Sequence, residues 1–297
     1  MRAAAAVLVL LAGASTLLSA GCSSGPSPEE LAADPALFLN SSRAAKHWDE
    51  PAEPARLIGP VYFVGTKGLG SFLIVGTNGH ILINSGMPGS GEQIEKSIVK
   101  LGFKPTDVKL ILCGHAHLDH VGGHAYLKKA TGAKVAVARQ EVELIESGGK
   151  TDFQYGSVPE FLFEPVKVDH GFRDGDGIRL GDIGLVAHLT PGHTKGSTTF
   201  VVSVFADGKK ITVVFPDGTS VNPGYRVGAN PSYPGIADDY RKTFAVLESL
   251  KPDVWLTGHN EVYGLEEKLD GKPWIDPEGY KHFVAGKKAQ FEAALQR

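Results

Sequence analysis

The run His115-Ala116-His117-Leu118-Asp119-His120 constrains this chain more than any other feature. It follows residues 108–113, whose mostly apolar composition reads as a buried strand. Four metal-competent side chains therefore crowd the end of one strand. His115 and His117 are two apart, so in extended backbone they project to the same side and suit one ion. Asp119 and His120 come as the chain turns into the next helix, and they can aim at a second point nearby. Gly122 and Gly123 read as the residues that let the backbone turn. A charged Asp among three imidazoles is costly to bury without a metal or another partner, so the run reads as a metal site.

Two more histidines sit after expected strands, each behind a glycine. His193 lies in Thr190-Pro191-Gly192-His193-Thr194, after residues 183–189, and His259 lies in Gly258-His259-Asn260, after residues 253–257. The donors then divide evenly. His115, His117 and His193 make one set of three; Asp119, His120 and His259 make a second. Zinc favours imidazole nitrogen and carboxylate oxygen and, in catalytic sites, keeps one position for water. Two ions about 3.5–4 Å apart form a recurrent arrangement for hydrolysis. The other six histidines (His47, His80, His124, His170, His188 and His282) read as structural or surface residues.

The surrounding pattern is strands then helices, twice. Strands are expected at 61–64, 71–77 and 80–84, a helix at 91–103, a strand at 108–113, a helix at 121–130, a strand at 135–138 and a helix at 140–147. A second block has strands at 178–180, 183–189, 198–205 and 210–215, a helix at 237–250, a strand at 253–257 and a helix at 277–295. Asn78-Gly79 and Asp207-Gly208 are hairpin signals. Two facing sheets with helices on both outer faces satisfy this order. Residues 148–160, Gly-rich but carrying Phe153 and Tyr155, read as a mobile loop that is either plain surface or a lip over substrate. With 42% hydrophobic and 21% charged residues the chain is not of a disordered class, and 33 acidic against 30 basic residues argue against a nucleic-acid partner.

The start of the chain reads as an address. Residues 1–22 have Arg2, an uncharged apolar stretch and small residues before Cys22, the pattern of an export signal. Residues 23–56, rich in Ser, Pro, Ala and Glu, read as a tether or loosely packed arm, and residues 57–297 as the folded domain. Leu18-Ser19-Ala20-Gly21-Cys22 resembles a bacterial lipoprotein cleavage box, with Leu one step early. The protein is expected to be exported to the periplasm, with any membrane anchoring through a lipidated Cys22. Cys113 is then the only other cysteine, and no intrachain disulfide forms.

Residues 115–120, with His193 and His259 downstream, resemble the signature of the metallo-β-lactamase superfamily. The resemblance spans about residues 57–297 and implies a four-layer αββα sandwich. The second donor set, Asp119 with two histidines, is similar to that of class B, subclass 3 metallo-β-lactamases. So are Ser220-Val221-Asn222-Pro223-Gly224-Tyr225, the stretch from Asn230 to Arg241, and Gly258-His259-Asn260-Glu261-Val262-Tyr263-Gly264. The resemblance implies two zinc ions per chain, a small-molecule β-lactam substrate and a metal-bound hydroxide as nucleophile. Asp119 is the expected catalytic group, orienting that hydroxide. Ser220 is expected near the substrate carboxylate and Tyr225 near the carbonyl oxygen. A monomer is expected.

Three positions depart from the family pattern. Gly114 stands where Thr is frequent, Lys195 where Pro is frequent, and Asn84 where Asp is usual. A neutral amide at 84 is expected to weaken support of the metal loop. Asp217 lies one position earlier than the bridging Asp of glyoxalase-type hydrolases and lactonases, and reads as non-bridging. The alternatives are another dinuclear metallohydrolase of the same fold, a lactonase or thioesterase, and an exported zinc-binding protein without turnover.

Overall fold

The computed structural model describes residues 25–296. The expected signal over residues 1–22, with Cys22, lies outside the described residues. The chain first forms two short helices, α1 (Pro28–Ala33) and α2 (Pro35–Ala45). Ser27 and Glu30 make a reciprocal cap on α1, and the Asp34 carboxylate accepts the Leu37 N–H on α2. Strands β1 (Ala55–Ile58), β2 (Val61–Phe63), β3 (Phe72–Gly76) and β4 (Gly79–Ile83) then pair antiparallel in sequence. β4, β5 (Val108–Leu112), β6 (Lys134–Ala138) and β7 (His170–Phe172) continue the sheet in parallel. Parallel neighbours require crossovers. α3 (Ser90–Lys100) connects β4 to β5, and α4 (Leu118–Val121) with α5 (His124–Thr131) connects β5 to β6. After β6 comes α6 (Val142–Glu146).

The second sheet has β8 (Gly177–Leu180), β9 (Ile183–Leu189), β10 (Thr198–Ala206) and β11 (Lys209–Phe215) in an antiparallel meander. After α7 (Ile236–Ser249), β12 (Val254–Trp255) joins β11 in parallel. β9 alternates strictly, with Ile183, Leu185, Ala187 and Leu189 turned inward. The sheets meet through aromatic pairs, Phe72 with Phe215 at 5.3 Å and Phe172 with Phe200 at 5.9 Å. Each fully buried Phe contributes about 2–3 kcal/mol of apolar transfer. Outside the first sheet lie α3 and α5 with Ile94, Ile98 and Leu127 buried. After α8 (Asn260–Tyr263) and α9 (Leu265–Leu269), α10 (Pro277–Leu295) packs on α7 through Phe291, which stacks on Tyr240 at 5.1 Å. The layers are helix, sheet, sheet, helix, as the sequence led us to expect.

Several expectations need correcting. Residues 23–56 are not a loose tether over the part described. Leu39 and Trp48 are each 4% exposed and join the core, and β1 begins before the expected boundary at 57. The expected helix at 121–130 is broken into α4 and α5. At Gly122 an added Cβ would stand 2.4 Å from the Pro88 nitrogen, and at Gly123 one would stand 2.6 Å from the Ser85 carbonyl. These glycines serve close approach of the loop after β4, since both have ordinary right-handed backbone. Residues 148–160 are anchored, with Tyr155 buried and stacked on Phe161 at 3.9 Å. The Asp207-Gly208 turn has positive φ at both residues, 49° and 73°, as a two-residue hairpin between β10 and β11 requires.

Candidate metal centre

The site lies where both sheets end. β5 delivers residues 113–117, the start of α4 delivers Asp119 and His120, the loop after β9 delivers His193, and the loop after β12 delivers His259. All six expected ligands come together. Donor atoms of His115, His117 and His193 lie within 4.8 Å of one another, and so do those of Asp119, His120 and His259. His117 Nδ1 and His193 Nε2 face each other at 3.1 Å. The Asp119 carboxylate lies 3.5 Å from His120 Nε2 and 3.4 Å from His259 Nε2. Buried nitrogens at His115 Nε2 and His120 Nε2 have no hydrogen-bond partner among the described residues. A metal is the partner such an arrangement fits.

Around the first set, every outward ring nitrogen is held. Asp217 Oδ1 accepts from His115 Nδ1 at 2.9 Å, and Asp152 Oδ2 accepts from His117 Nε2 at 3.2 Å. The Ser220 carbonyl accepts from His193 Nδ1 at 2.8 Å. Asp152 is itself fixed by the Gln154 and Tyr155 N–H groups. These contacts choose the tautomer of each ring. Burial, then the neighbouring imidazoles, hold His115 and His193 well below the ordinary histidine range, so both stand neutral and ready to ligate. Burial opposes charge on His117 too, but Asp152 outweighs it and raises the value. Burial also opposes charge on Asp119, but His120 and His259 overcome it and keep the carboxylate ionised.

Glu141, unremarked in the sequence, ties the two loops together. Its buried carboxylate accepts the Ala116 N–H at 2.8 Å and the Gly196 N–H at 2.7 Å. Gly114 and Asp217 form a matched pair, because a Cβ at 114 would come within 1.9 Å of Asp217 Oδ2. Burial raises the Asp217 carboxyl to about 6, against the opposing pull of His120. Asn84 meets the metal loop directly. Its amide oxygen accepts the Gly114 N–H at 3.0 Å, and its φ of 63° is one that Asn tolerates better than most residues. Asp217 also groups with His115 and His120 within 4.8 Å, a third donor cluster.

The two expected substrate contacts part company. Ser220 lines a cleft of about 240 Å³ that opens over both donor sets. Tyr225 is buried and off that lining. Its hydroxyl donates to the His193 carbonyl at 3.0 Å and its ring stacks on His193 at 5.7 Å, so it braces the loop of a ligand. Phe38, Lys46 and Trp48 of the N-terminal arm also line the cleft, and Trp48 packs 5.4 Å from the His259 ring.

Residues 71–259 match the family model of the metallo-β-lactamase superfamily. The fold is similar to that of native FEZ-1 metallo-β-lactamase from Legionella gormanii, at 40% identity and TM-score 0.81, over 83% of this chain and 97% of that one. It is also similar to BJP-1, a subclass B3 metallo-β-lactamase of Bradyrhizobium japonicum, at 39% identity and TM-score 0.79, over 85% and 97%. A class B3 di-zinc metallo-β-lactamase, LRA-12 from an Alaskan soil metagenome, matches at 33% identity and TM-score 0.80, over 84% and 96%. Among curated relatives, a probable metallo-hydrolase of Burkholderia pseudomallei is 31% identical over 114 residues, 38% of this chain. The chain spans little more than a third of that relative, 37% of its length. A site of six convergent His and Asp donors, on this fold and with these matches, makes the chain a member of the metallo-β-lactamase superfamily, a metal-dependent hydrolase whose structural neighbours are class B3 enzymes.

Proposed function

We propose that this protein is an exported, di-zinc β-lactamase that opens the ring of penicillin-, cephalosporin- or carbapenem-type antibiotics. The observation that carries the reading is the all His/Asp donor set beneath a cleft lined by Ser220, in a chain 33–40% identical to class B3 enzymes over most of its length. Two bound zinc ions supply an activated water and a Lewis acid for the amide carbonyl and its leaving nitrogen. The protein contributes position and charge. His115 and His193 present neutral nitrogens, and His117 its Nδ1, on the carbonyl side of the site. His120 and His259 stand on the leaving-group side with Asp119 between them. Asp119 is ionised and can accept a hydrogen bond but not donate one, so it orients the attacking water. Glu141 and Asn84 keep the loops still while charge develops.

The partner is a small molecule, the protein acts as a monomer, and nucleic acid is not a substrate. Export over residues 1–22 and lipid attachment at Cys22 belong to the same reading. Fatty-acid label on the wild-type chain that disappears in Cys22→Ser supports the anchor; label that survives the substitution removes it. Nitrocefin turnover by the purified protein, abolished by chelator and restored by zinc, is the expected result for the main reading. Rapid lactone or thioester hydrolysis with no turnover of any β-lactam overturns it. Tight zinc with no hydrolysis of either kind favours the binding-protein alternative.

A further inference from the structure

The first helix sits at the catalytic end of the molecule. α1 packs on the loop after β11, where the Ala32 carbonyl lies 2.9 Å from the place a Cβ on Gly224 would take. Between α1, that loop and the end of α10 runs a groove of about 800 Å³. Pro28, Ala32, Val221, Ala229, Ala293 and Leu295 line it, and Arg226 is the one charged residue on its wall. A second groove of about 760 Å³ continues it past Ala229 towards Pro231 and Pro234. Val221, Asn222, Pro223 and Gln290 border both the first groove and the catalytic cleft, so the two open side by side.

The opposite end of the molecule differs. β10 starts beside the metal loop, where the Thr198 N–H donates to the Gly114 carbonyl, and runs nine residues away from it, about 30 Å at the usual strand rise. Lys109, Lys134, Lys209 and Lys210 are exposed at that far end, and Phe205, opposite Lys210, is 71% exposed. A lysine near an anionic lipid surface is worth about 1 kcal/mol, so charge alone would turn the lysine end to a bilayer.

Chain reach decides otherwise. The reading above attaches lipid at Cys22, six residues before Pro28. Buried lipid chains contribute about 0.8 kcal/mol per CH₂, in sum far more than four lysines. Six residues fully extended span about 20 Å, so the bilayer lies within that distance of Pro28. The lysine end, about 30 Å beyond the catalytic end, is out of reach. What the tether brings to the lipid is a wall of small and apolar residues whose single cation, the exposed Arg226, suits a phosphate headgroup. We infer that the face formed by α1, residues 221–237 and the end of α10 lies against the phospholipid bilayer, and that the catalytic cleft opens along the membrane surface. This rests on the reading of Cys22 as the lipid attachment site.

Quenching on vesicles tests the orientation. The lipidated full chain is placed in phosphatidylethanolamine and phosphatidylglycerol vesicles that carry a nitroxide on the headgroup. A fluorophore is attached in turn to Ala229→Cys, Ala293→Cys and Lys209→Cys, all exposed positions, while the buried Cys113 stays unlabelled. Most of the emission should be lost at 229 and 293 and little at 209. Inserting about 30 Gly/Ser residues after Ser24 gives the tether a root-mean-square reach of about 30 Å, so the three positions should approach equal quenching while the protein stays on the vesicles. Equal quenching with the natural tether, or stronger loss at 209, overturns the orientation. Fatty-acid labelling of the same sample separates the two readings. Lipid on Cys22 with the wrong quenching pattern leaves the anchor and removes this face. No lipid on Cys22 removes the anchor and this inference with it. Hydrolysis plays no part in either readout.

Discussion

The two halves of the metal centre are built by different means. In the first, three histidines have their outward nitrogens gripped by Asp217, Asp152 and the Ser220 carbonyl. In the second, His120 and His259 have no partner for Nδ1 among the described residues, and what positions them is packing and backbone. Gly258 lets the chain lie against the His120 ring, where a Cβ would come within 2.4 Å of Cε1, and Trp48 covers His259. The His120 carbonyl accepts the Ser85 N–H at 2.7 Å. One half is therefore pre-oriented by hydrogen bonds that also raise ligand basicity; the other is shaped by contact. The first position should hold its ion more tightly, and a chelator should empty the second first.

The largest effects should come from the ligands, and they should differ by half. His117→Ala removes a donor and strands the buried Asp152 carboxylate, so hydrolysis should fall by about 10³-fold or more, with the first ion lost. His259→Ala should lose as much activity but retain one tightly held zinc per chain. Metal analysis after dialysis reads the difference. Equal retention in both variants would break the comparison.

Next come the carboxylates behind the first half. Asp217→Asn and Asp152→Asn should each weaken zinc at that position about 10–100-fold, read by competition with a chromophoric chelator. Gly114→Ala should behave like Asp217→Asn, because its Cβ takes the place of Oδ2. Combining the two should then cost little beyond either alone, a coupling that independent sites do not show. A fully additive pair would mean that the 114–217 contact does not set the orientation of His115.

These outer residues mark the limit of what could be read from the sequence. The ligands were legible because four of them are consecutive or nearly so, and because each remaining histidine sits behind a glycine at a strand end. The strands were legible from alternation, as in β9, and from turn dipeptides such as Asp207-Gly208. Glu141 and Asp152 were not, since their partners are tertiary. Glu141 reaches Ala116 across 25 residues and Gly196 across 55, inside what reads as an ordinary amphipathic helix. Asp152 sat in a segment whose glycines suggested mobility, while the aromatic pair Tyr155 and Phe161 anchors it. Asp217 reads from the sequence only as a non-bridging Asp; its contact with His115 depends on the missing side chain at Gly114, which no spacing rule reveals. The arm at residues 25–56 departs from its expected looseness for a related reason. It is rich in Ser, Pro, Ala and Glu, and the two residues that enter the core, Leu39 and Trp48, lie far apart in it.

A smaller effect is expected where a ligand is braced at one remove. Tyr225→Phe deletes the hydrogen bond to the His193 carbonyl but keeps the ring against the imidazole. A neutral buried hydrogen bond contributes about 0.5–1.5 kcal/mol, so the unfolding free energy from denaturant titration should fall by that much and kcat/KM by less than about tenfold. A loss of about 10³-fold would return Tyr225 to the substrate contact expected from the family resemblance.

At neutral pH the least affected variant should be His124→Asn, and its value lies in acid. His124 is fully buried behind the second half, with Nδ1 2.6 Å from the Ser85 hydroxyl, the same residue whose N–H holds His120. Burial, then the charge of His120, depresses His124 to about 3 from an ordinary 6.5. Between these values the unfolded chain binds a proton that the folded chain refuses. Stability from this group is thus complete above pH 6.5 and declines as pH falls towards 3, by on the order of 1–2 kcal/mol between pH 7 and pH 5. Asn, which has no proton to gain and can still meet Ser85, should flatten that part of the curve. The difference between wild type and variant at each pH isolates this residue from the ligands, which titrate in both. If the two curves stay parallel from pH 7 to 4, the acid sensitivity resides in the ligands themselves, and the second half is held less by its backbone clamp than by the ion it binds.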